Sequence, residues 1–293
     1  MTPSPRPRAS VVVPTKGRPA YLSVALHSLA RQDIGADAYE VIVVDDEPSA
    51  ATRELTEHLA RDTGAPVAYA ERRGPPGLNS ARNTGIDVGR ASLIVFVDDD
   101  VEAPPGWLSE LVSGAQRHGE ALAFGGPIEL RLEGSRLRMC GREAPPITAL
   151  DAGTADREVD FVWGANMAID RRATELAGRF DPAVPYGFDE DMWERRLRER
   201  GGKIFYIARA GLVHRRDAAD ARLRALLRES YRRGRKLRAY DEHRGGAPSL
   251  MRELRVIAGC AWHTVRHMCG NGILLTAHSA GRLRQALVRN GRA

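Results

Sequence analysis

Three consecutive carboxylates, Asp98-Asp99-Asp100, close the apolar run 93–97 (LIVFV). Like charges this close repel, and each costs stability unless a cation offsets it. Asp98 and Asp100 fall on the same side of an extended strand end, so the pair can hold Mg²⁺ or Mn²⁺, hard ions that take oxygen ligands and share them with phosphate. Solvated loop acids are the plain alternative, and position after a buried strand favours the ion. Asp45-Asp46 repeats the arrangement after 39–44 (YEVIVV). There a carboxylate can accept from a base N–H or a ribose hydroxyl, or cap the helix that follows. A third acidic group, Asp189-Glu190-Asp191, opens a helical stretch. The dipole and free N–H groups of a helix start keep a carboxylate ionised, as a general base must be, and the same acids also simply favour a helix start.

The elements that position these groups follow from periodicity. Residues 10–14 (SVVVP) form a strand, and Tyr21, Val24, Ala25 and Leu29 then recur at helical spacing over 20–30. A second strand at 39–44 leads to a helix over 50–62, with Leu55 and Leu59 on one face. A strand at 67–71, a Gly/Pro loop at 73–78 and a helix over 79–89, capped by Asn79 or Ser80, precede the strand at 93–97. Apolar strands alternating with amphipathic helices predict an α/β fold, a mostly parallel Rossmann-like sheet with helices on both faces. Such sheets bind ligands beyond the carboxyl ends of their strands. Pro14-Thr15, Asp45-Asp46 and Asp98-Asp99-Asp100 all sit at that edge, and Arg82 and Asn83 lie in the first turns of a helix starting beside it, where Arg82 can pair with a diphosphate. Beyond it come a helix over 107–118, strands within 121–132 and a Gly/Arg/Pro-rich stretch, 134–156, read as a mobile loop. Ordered structure resumes at 161–169, with helices over 173–177 and 187–200, closing strands at 203–207 and 211–213, and a helical extension from 223.

The segments VVVPTKGRPAYL, VIVVDDEPS, GLNSARNTGIDVG and LIVFVDDDV, in this order and spacing, resemble the donor half of family 2 glycosyltransferases of the GT-A fold. WGANMAIDRRA, GFDEDMWERRLRERG and GLVHRR resemble the acceptor half of the same family, so the resemblance covers about residues 10–216. It implies a domain over 1–217, with donor half 1–120 and acceptor half 121–217, followed by a basic helical region over 218–293. It further implies a nucleotide site at Pro14, Thr15, Asp45 and Asp46, with Arg82 near the donor. Asp98 and Asp100 match the DxD metal and diphosphate motif, with Asp99 between them, and His214 resembles a histidine that completes that site. Trp163, Gly164 and Asn166, with Asp189, match the segments lining donor sugar and acceptor. Asp189-Glu190-Asp191 matches the motif carrying the catalytic base, for which Asp191 is the first choice and Glu190 the second. Aligning on Arg196-Leu197 instead makes Asp189-Glu190 the motif. The implied reaction is an inverting, Mg²⁺- or Mn²⁺-dependent transfer from a UDP-, GDP- or dTDP-linked sugar to a glycan, lipid-linked or small-molecule hydroxyl. Lys16-Gly17 and Glu47-Pro48 stand where the family commonly has Tyr-Asn and Gly-Ser, which leaves base specificity open.

Composition bounds the alternatives. The 293 residues carry 44 Lys and Arg against 38 Asp and Glu, and 43% are hydrophobic, enough for a sizeable core. Cys140, Cys260 and Cys269 are too few and scattered for a disulfide framework, which excludes a small stapled fold and favours a reducing compartment. Residues 1–8, with three Pro and two Arg, show no signal-peptide pattern, and 256–280 is too interrupted to span a bilayer, so a cytoplasmic protein is expected, with peripheral contact at the inner membrane face open. Residues 218–293 hold 16 Lys and Arg against 5 Asp and Glu, whereas the preceding 217 hold 28 against 33. The basic cluster Arg232-Arg233-Gly234-Arg235-Lys236, set among Leu226, Leu227, Tyr231 and Leu237, suits either an anionic membrane surface or a solvated helix face. No recognition motif supports nucleic acid as a partner. Cys260, His263, His267 and Cys269 form a CxxHxxxHxC cluster able to hold zinc, though in no familiar module, or else belong to a packed helix. Two rival functions remain. A nucleotidyltransferase on sugar phosphates would favour a Gly-rich basic loop after the first strand, where PTKGRP has one Gly. A non-catalytic nucleotide-sugar-binding or scaffold protein would bind donor without turnover.

Overall fold

The computed structural model describes residues 6–135, 137–140, 142, 147–184, 189–243 and 245–290. It divides into two compact units, Met1–Glu129 with Leu150–His214, and Leu130–Ala149 with Arg215–Ala293.

The first unit opens with β1 (Ala9–Thr15), α1 (Pro19–Leu29), β2 (Tyr39–Asp45), α2 (Ala50–Thr63), β3 (Val67–Glu71), α3 (Leu78–Val88) and β4 (Leu93–Val97). It continues through β5 (Val101–Glu102), α4 (Trp107–Arg117) and β6 (Ala123–Gly125), and β7 (Ile128–Leu132) runs out of it. After β8 (Arg157–Glu158) come β9 (Asn166–Asp170), α5 (Arg171–Ala177), α6 (Asp189–Glu199) and β10 (Ile204–Tyr206), and β11 (Leu212–Arg216) again leaves the unit. One sheet has the order β3-β2-β1-β4-β9-β6-β10-β8. Strands β1 to β4 are mutually parallel, β9 runs antiparallel to both β4 and β6, and β10 is parallel to β6.

Period-two alternation splits the core between the two sheet faces. Val11, Val13, Val41, Val43, Val95 and Val97 pack with Leu22 and Leu26 of α1 and with Trp107 and Leu111 of α4. Val12, Ile42, Val44, Ile94 and Phe96 pack on the other face with Ile86 of α3 and with Trp193 and Leu197 of α6. Burial on both faces is why these strands read as continuous apolar runs. Register places the ends of β1, β2 and β4 side by side, with Thr15 opposite Asp45 and Val12 opposite Phe96.

Two cap assignments are corrected. Ser49, not Asp45 or Asp46, caps α2, its Oγ accepting from Thr52 N at 3.2 Å. Helix α3 starts one turn-residue earlier than expected, behind Gly77 at φ 137°, so Asn79 and Ser80 lie inside its first turn. The freed Asn79 amide instead donates to the Asp181 carbonyl at 2.7 Å.

The second unit holds α7 (Leu223–His243), α8 (Leu250–His267) and α9 (Gly270–Asn290). Helices α7 and α9 approach closely at Gly234 and Gly281, where a Cβ would meet the His278 and Tyr231 carbonyl oxygens at 1.9 and 2.1 Å. Glu253 of α8, buried, joins the three helices by accepting from Arg238 of α7 at 3.3 Å and Arg282 of α9 at 2.9 Å. Part of the stretch read from sequence as a loop belongs to this unit's core: Ile147 is buried with Leu226 and Leu274, and Leu137 and Met139 pack against them. The sequence boundary at 217 therefore leaves residues 130–149 on the other side of the division that the contacts draw.

Candidate active site

The strand-end acids do not project into solvent. Asp99 and Asp100 are 1% and 3% exposed, and Asp98 is half-buried. Asp99 accepts from Thr15 Oγ1 at 2.7 Å and is forked by the Arg18 guanidinium, whose other arm reaches Asp100 Oδ2 at 2.9 Å. His214, brought in by β11 pairing antiparallel with β5, sets Nε2 3.1 Å from Asp100 Oδ1 and 3.9 Å from Asp98 Oδ2. Single ligand atoms of Asp98, Asp100 and His214 thus lie within 4.8 Å of one another. Burial, then the Asp100 charge, pushes the Asp98 carboxyl above the ordinary carboxylate range, and burial raises Asp99 to about 6 despite Arg18. Two crowded carboxylates and a buried imidazole whose Nε2 faces them fit a divalent cation of the Mg²⁺ or Mn²⁺ type.

The neighbouring edge is held by its own loop. Asp45, fully buried, accepts from the Glu47 and Ser49 N–H groups, both at 3.1 Å, and so shapes the turn after β2. Asp46 Oδ1 pairs with Arg72 at 2.8 Å and accepts from Gly77 N at 2.7 Å, and Lys16 stands 3.6 Å from Oδ2. Pro14 and Thr15 complete the edge at the end of β1, in register with Val44 and Asp45 respectively.

Arg82 organises the opening turn of α6. Its guanidinium is 1% exposed, lies over the rings of Phe96 and Phe180, and pairs with Asp189 and, at 2.8 Å, with Glu190. Gly164 permits this pairing, since a Cβ there would lie 2.1 Å from Arg82 Nη2 and 2.3 Å from Glu190 Oε1. Burial raises the Glu190 carboxyl to about 7 against the opposing pull of Arg82. Asp191, the first choice from sequence, is exposed in the opening turn of α6. Trp163 is half-buried and makes an edge contact with Phe161 at 5.6 Å. Asn166 is spent on packing: its amide accepts from Trp107 Nε1 at 3.0 Å and donates to the Ala210 and Pro127 carbonyls.

Two residues at this edge escaped the sequence reading. Arg18 and Arg72 look like surface arginines in Gly/Pro loops, and the available signal was electrostatic: buried acids beyond what one cation satisfies call for basic partners from adjacent loops.

Comparison with known proteins identifies the arrangement. Residues 10–176, more than half of the chain, match the family described as Glycosyl transferase family 2. The chain belongs to glycosyl transferase family 2. This glycosyltransferase is 26% identical over 230 residues to the GalNAc(5)-diNAcBac-PP-undecaprenol beta-1,3-glucosyltransferase of Campylobacter jejuni, covering 77% of its own chain and 70% of that protein. It is 33% identical over 107 residues to a validoxylamine A glucosyltransferase of Streptomyces hygroscopicus, a match over 36% of this chain and 25% of the relative. Among solved structures, the mannosyltransferase PcManGT of Pyrobaculum calidifontis, in complex with GDP-Man and Mn²⁺, aligns with a TM-score of 0.56 at 19% identity over 99% of this chain and 76% of its own. The first 349 residues of Staphylococcus aureus TarS align with a TM-score of 0.53 at 17% identity over 76% and 64%. These likenesses show the GT-A type of fold with a C-terminal helical region.

Within the glycosyltransferase, Arg82 offsets two acids in an apolar setting, so removing it strands their charge. Arg82→Met is expected to lower unfolding free energy by about 3–5 kcal/mol. Urea denaturation followed by circular dichroism checks this, and a loss below about 1 kcal/mol would mean the pair is not buried together in solution.

Proposed function

We propose that the protein transfers a sugar from a nucleoside diphosphate donor to an acceptor hydroxyl, with inversion at the anomeric carbon and dependence on Mg²⁺ or Mn²⁺. The observation that carries this reading is the Asp98, Asp100 and His214 cluster at the carboxyl edge of a family 2 fold. Asp98, Asp100 and His214 would hold the ion, which when bound supplies positive charge against the diphosphate as it departs. Arg18, 40% exposed and already at the cluster, has the reach to add charge there. Thr15 and Asp46 bound the nucleotide side, and Trp163 offers a ring to the sugar.

Glu190 takes the acceptor proton. As it does so, the acceptor oxygen bonds to the anomeric carbon, the bond from that carbon to the diphosphate oxygen breaks, and its electron pair leaves with the nucleoside diphosphate. The choice of Glu190 over Asp191 rests on its half-buried position against Arg82 and Gly164, and on the register in which Asp189-Glu190 precedes Arg196-Leu197. Asp189 then acts as the anchor that fixes Arg82.

A lipid-linked glycan is the acceptor class best supported, because the Campylobacter relative is named for an acceptor carried on PP-undecaprenol. The second unit offers a matching surface. The apolar side of α7 is used internally through Leu226, while Met251, Leu254, Trp262 and Val265 of α8 are exposed on one helical face, flanked by Arg255 and Arg266. No described helix is long and apolar enough to cross a membrane, which leaves a surface-lying mode for this face. Vesicles containing phosphatidylglycerol should co-sediment the protein and phosphatidylcholine vesicles should not. Trp262→Glu with Val265→Glu should lower binding at least about tenfold, and unchanged binding would remove the membrane from this account.

The direct assay is nucleoside diphosphate release from UDP-, GDP- and dTDP-sugars with Mn²⁺ and a polyprenyl-diphosphate-linked saccharide. Metal-dependent release with one donor class is expected. Consumption of a nucleoside triphosphate with a sugar phosphate would instead favour a nucleotidyltransferase, and donor binding without release would favour a scaffold.

A further inference from the structure

The second unit gathers three metal-binding side chains that the reaction above does not use. Single ligand atoms of Cys140, His263 and Cys269 lie within 4.8 Å of one another. The backbone builds this cluster. Helix α8 ends at Met268 in the left-handed region, φ 47°, which turns the chain so that Cys269 N donates to the Thr264 carbonyl at 3.2 Å, one residue beyond His263. The segment carrying Cys140 is tied to the same turn by Gly270 N donating to the Arg138 carbonyl at 2.7 Å, and by Cys140 N donating to Cys269 Sγ at 3.2 Å. Leu137 and Met139, on either side of Arg138, pack into the unit's apolar cluster and fix the segment's position. Cys140 Sγ then stands 3.2 Å from His263 Nε2. His263 is 9% exposed and Cys269 1%.

The four-residue pattern read from the sequence is thus rearranged. Cys260 and His267 lie outside the cluster, and Cys140, 120 residues before Cys260 in the chain, replaces them. Thr264 Oγ1 donates to the Cys260 carbonyl at 2.9 Å, and the His267 ring stands edge-on to His263 with centroids 4.9 Å apart.

Two sulfurs and one imidazole nitrogen are a soft and borderline donor set suited to zinc. Zinc–sulfur bonds of about 2.3 Å and zinc–nitrogen bonds of about 2.0 Å set tetrahedral ligand separations of about 3.5–3.8 Å. Cys140 Sγ and His263 Nε2, 3.2 Å apart, stand slightly inside that range, and all three ligand atoms lie within 4.8 Å of one another. We propose that Cys140, His263 and Cys269 bind one Zn²⁺, with water in the fourth position, and that the ion ties the Cys140 segment to the turn between α8 and α9. The apolar cluster of this unit has only Ile147, Leu226 and Leu274 buried among its described residues, so a metal link adds a constraint that packing does not supply.

The test uses the full chain purified in reducing buffer without chelator. Elemental analysis should find one zinc per chain, and replacement by Co²⁺ should give a thiolate-to-cobalt charge-transfer band in the near ultraviolet with intense tetrahedral d–d bands. Carboxylates and histidine give no such charge transfer, so Co²⁺ at Asp98, Asp100 and His214 does not mimic the signal. Cys140→Ser and Cys269→Ser should abolish the band, and Cys260→Ser should keep it. Absence of the band in the wild-type protein under reducing conditions would overturn the proposal without any variant having to fold. So would a band that survives Cys140→Ser, or recovery of Cys140 and Cys269 as a disulfide that blocks Co²⁺ uptake yet leaves thermal stability unchanged after reduction and zinc addition.

Discussion

Glu190→Gln is expected to lower kcat by about 10²–10⁴-fold, the range that a positioned general base contributes. The amide retains an oxygen that can accept from Arg82, so the pairing at 2.8 Å survives in kind and the fold should hold. Donor affinity should stay within about threefold of wild type, since the lost interaction is with the acceptor proton and arises only in the transition state. Asp191→Asn, at an exposed position, should leave kcat near wild type. The pH profile gives an independent reading. A base with its carboxyl raised to about 7 is ionised above that pH and protonated below it, so kcat/KM should rise with pH and level off above about 7. Glu190→Gln should flatten that acidic limb. A full-rate Glu190→Gln enzyme, or an Asp191→Asn enzyme that loses the limb, would move the base to Asp191.

Asp98→Asn should carry the second large effect, a fall in activity of about three orders of magnitude, corresponding to the several kcal/mol that a cation contributes against a departing diphosphate. The same variant should not destabilise the metal-free protein. Asp98 has His214 no closer than 3.9 Å and the like charge of Asp100 beside it, so neutralising it relieves repulsion. Differential scanning fluorimetry in EDTA should therefore give a Tm equal to or above that of wild type. A Tm several degrees lower would mean that Asp98 serves the fold, through partners other than the cation.

Much of this site was legible in the sequence because it follows from local rules. A continuous apolar strand must be buried on both faces, its last residue marks the sheet edge, and polar groups just beyond Val44 and Val97 must therefore share that edge. The same rules failed where a side chain's partner comes from elsewhere in the chain. Asp189-Glu190-Asp191 is one acidic run in sequence, and only the buried guanidinium of Arg82, more than a hundred residues away, separates anchor, half-buried and exposed positions. Asn166 read as a sugar ligand, and its amide is consumed by Trp107, Ala210 and Pro127. Arg18 was invisible because nothing in PTKGRP marks which basic residue turns inward. In the helical region, spacing on one helix suggested Cys260 and His267 as companions of His263, whereas a distant loop cysteine takes that place.

Binding of donor by Asp98, Asp100 and His214 through a divalent cation can be measured by calorimetric titration of the nucleotide sugar that supports turnover, in Mn²⁺ and in EDTA. Saturable binding is expected in Mn²⁺, with binding at least about tenfold weaker in EDTA and no Mn²⁺ effect in Asp98→Asn. Equal affinity in Mn²⁺ and EDTA, or an undiminished Mn²⁺ effect in Asp98→Asn, would contradict it.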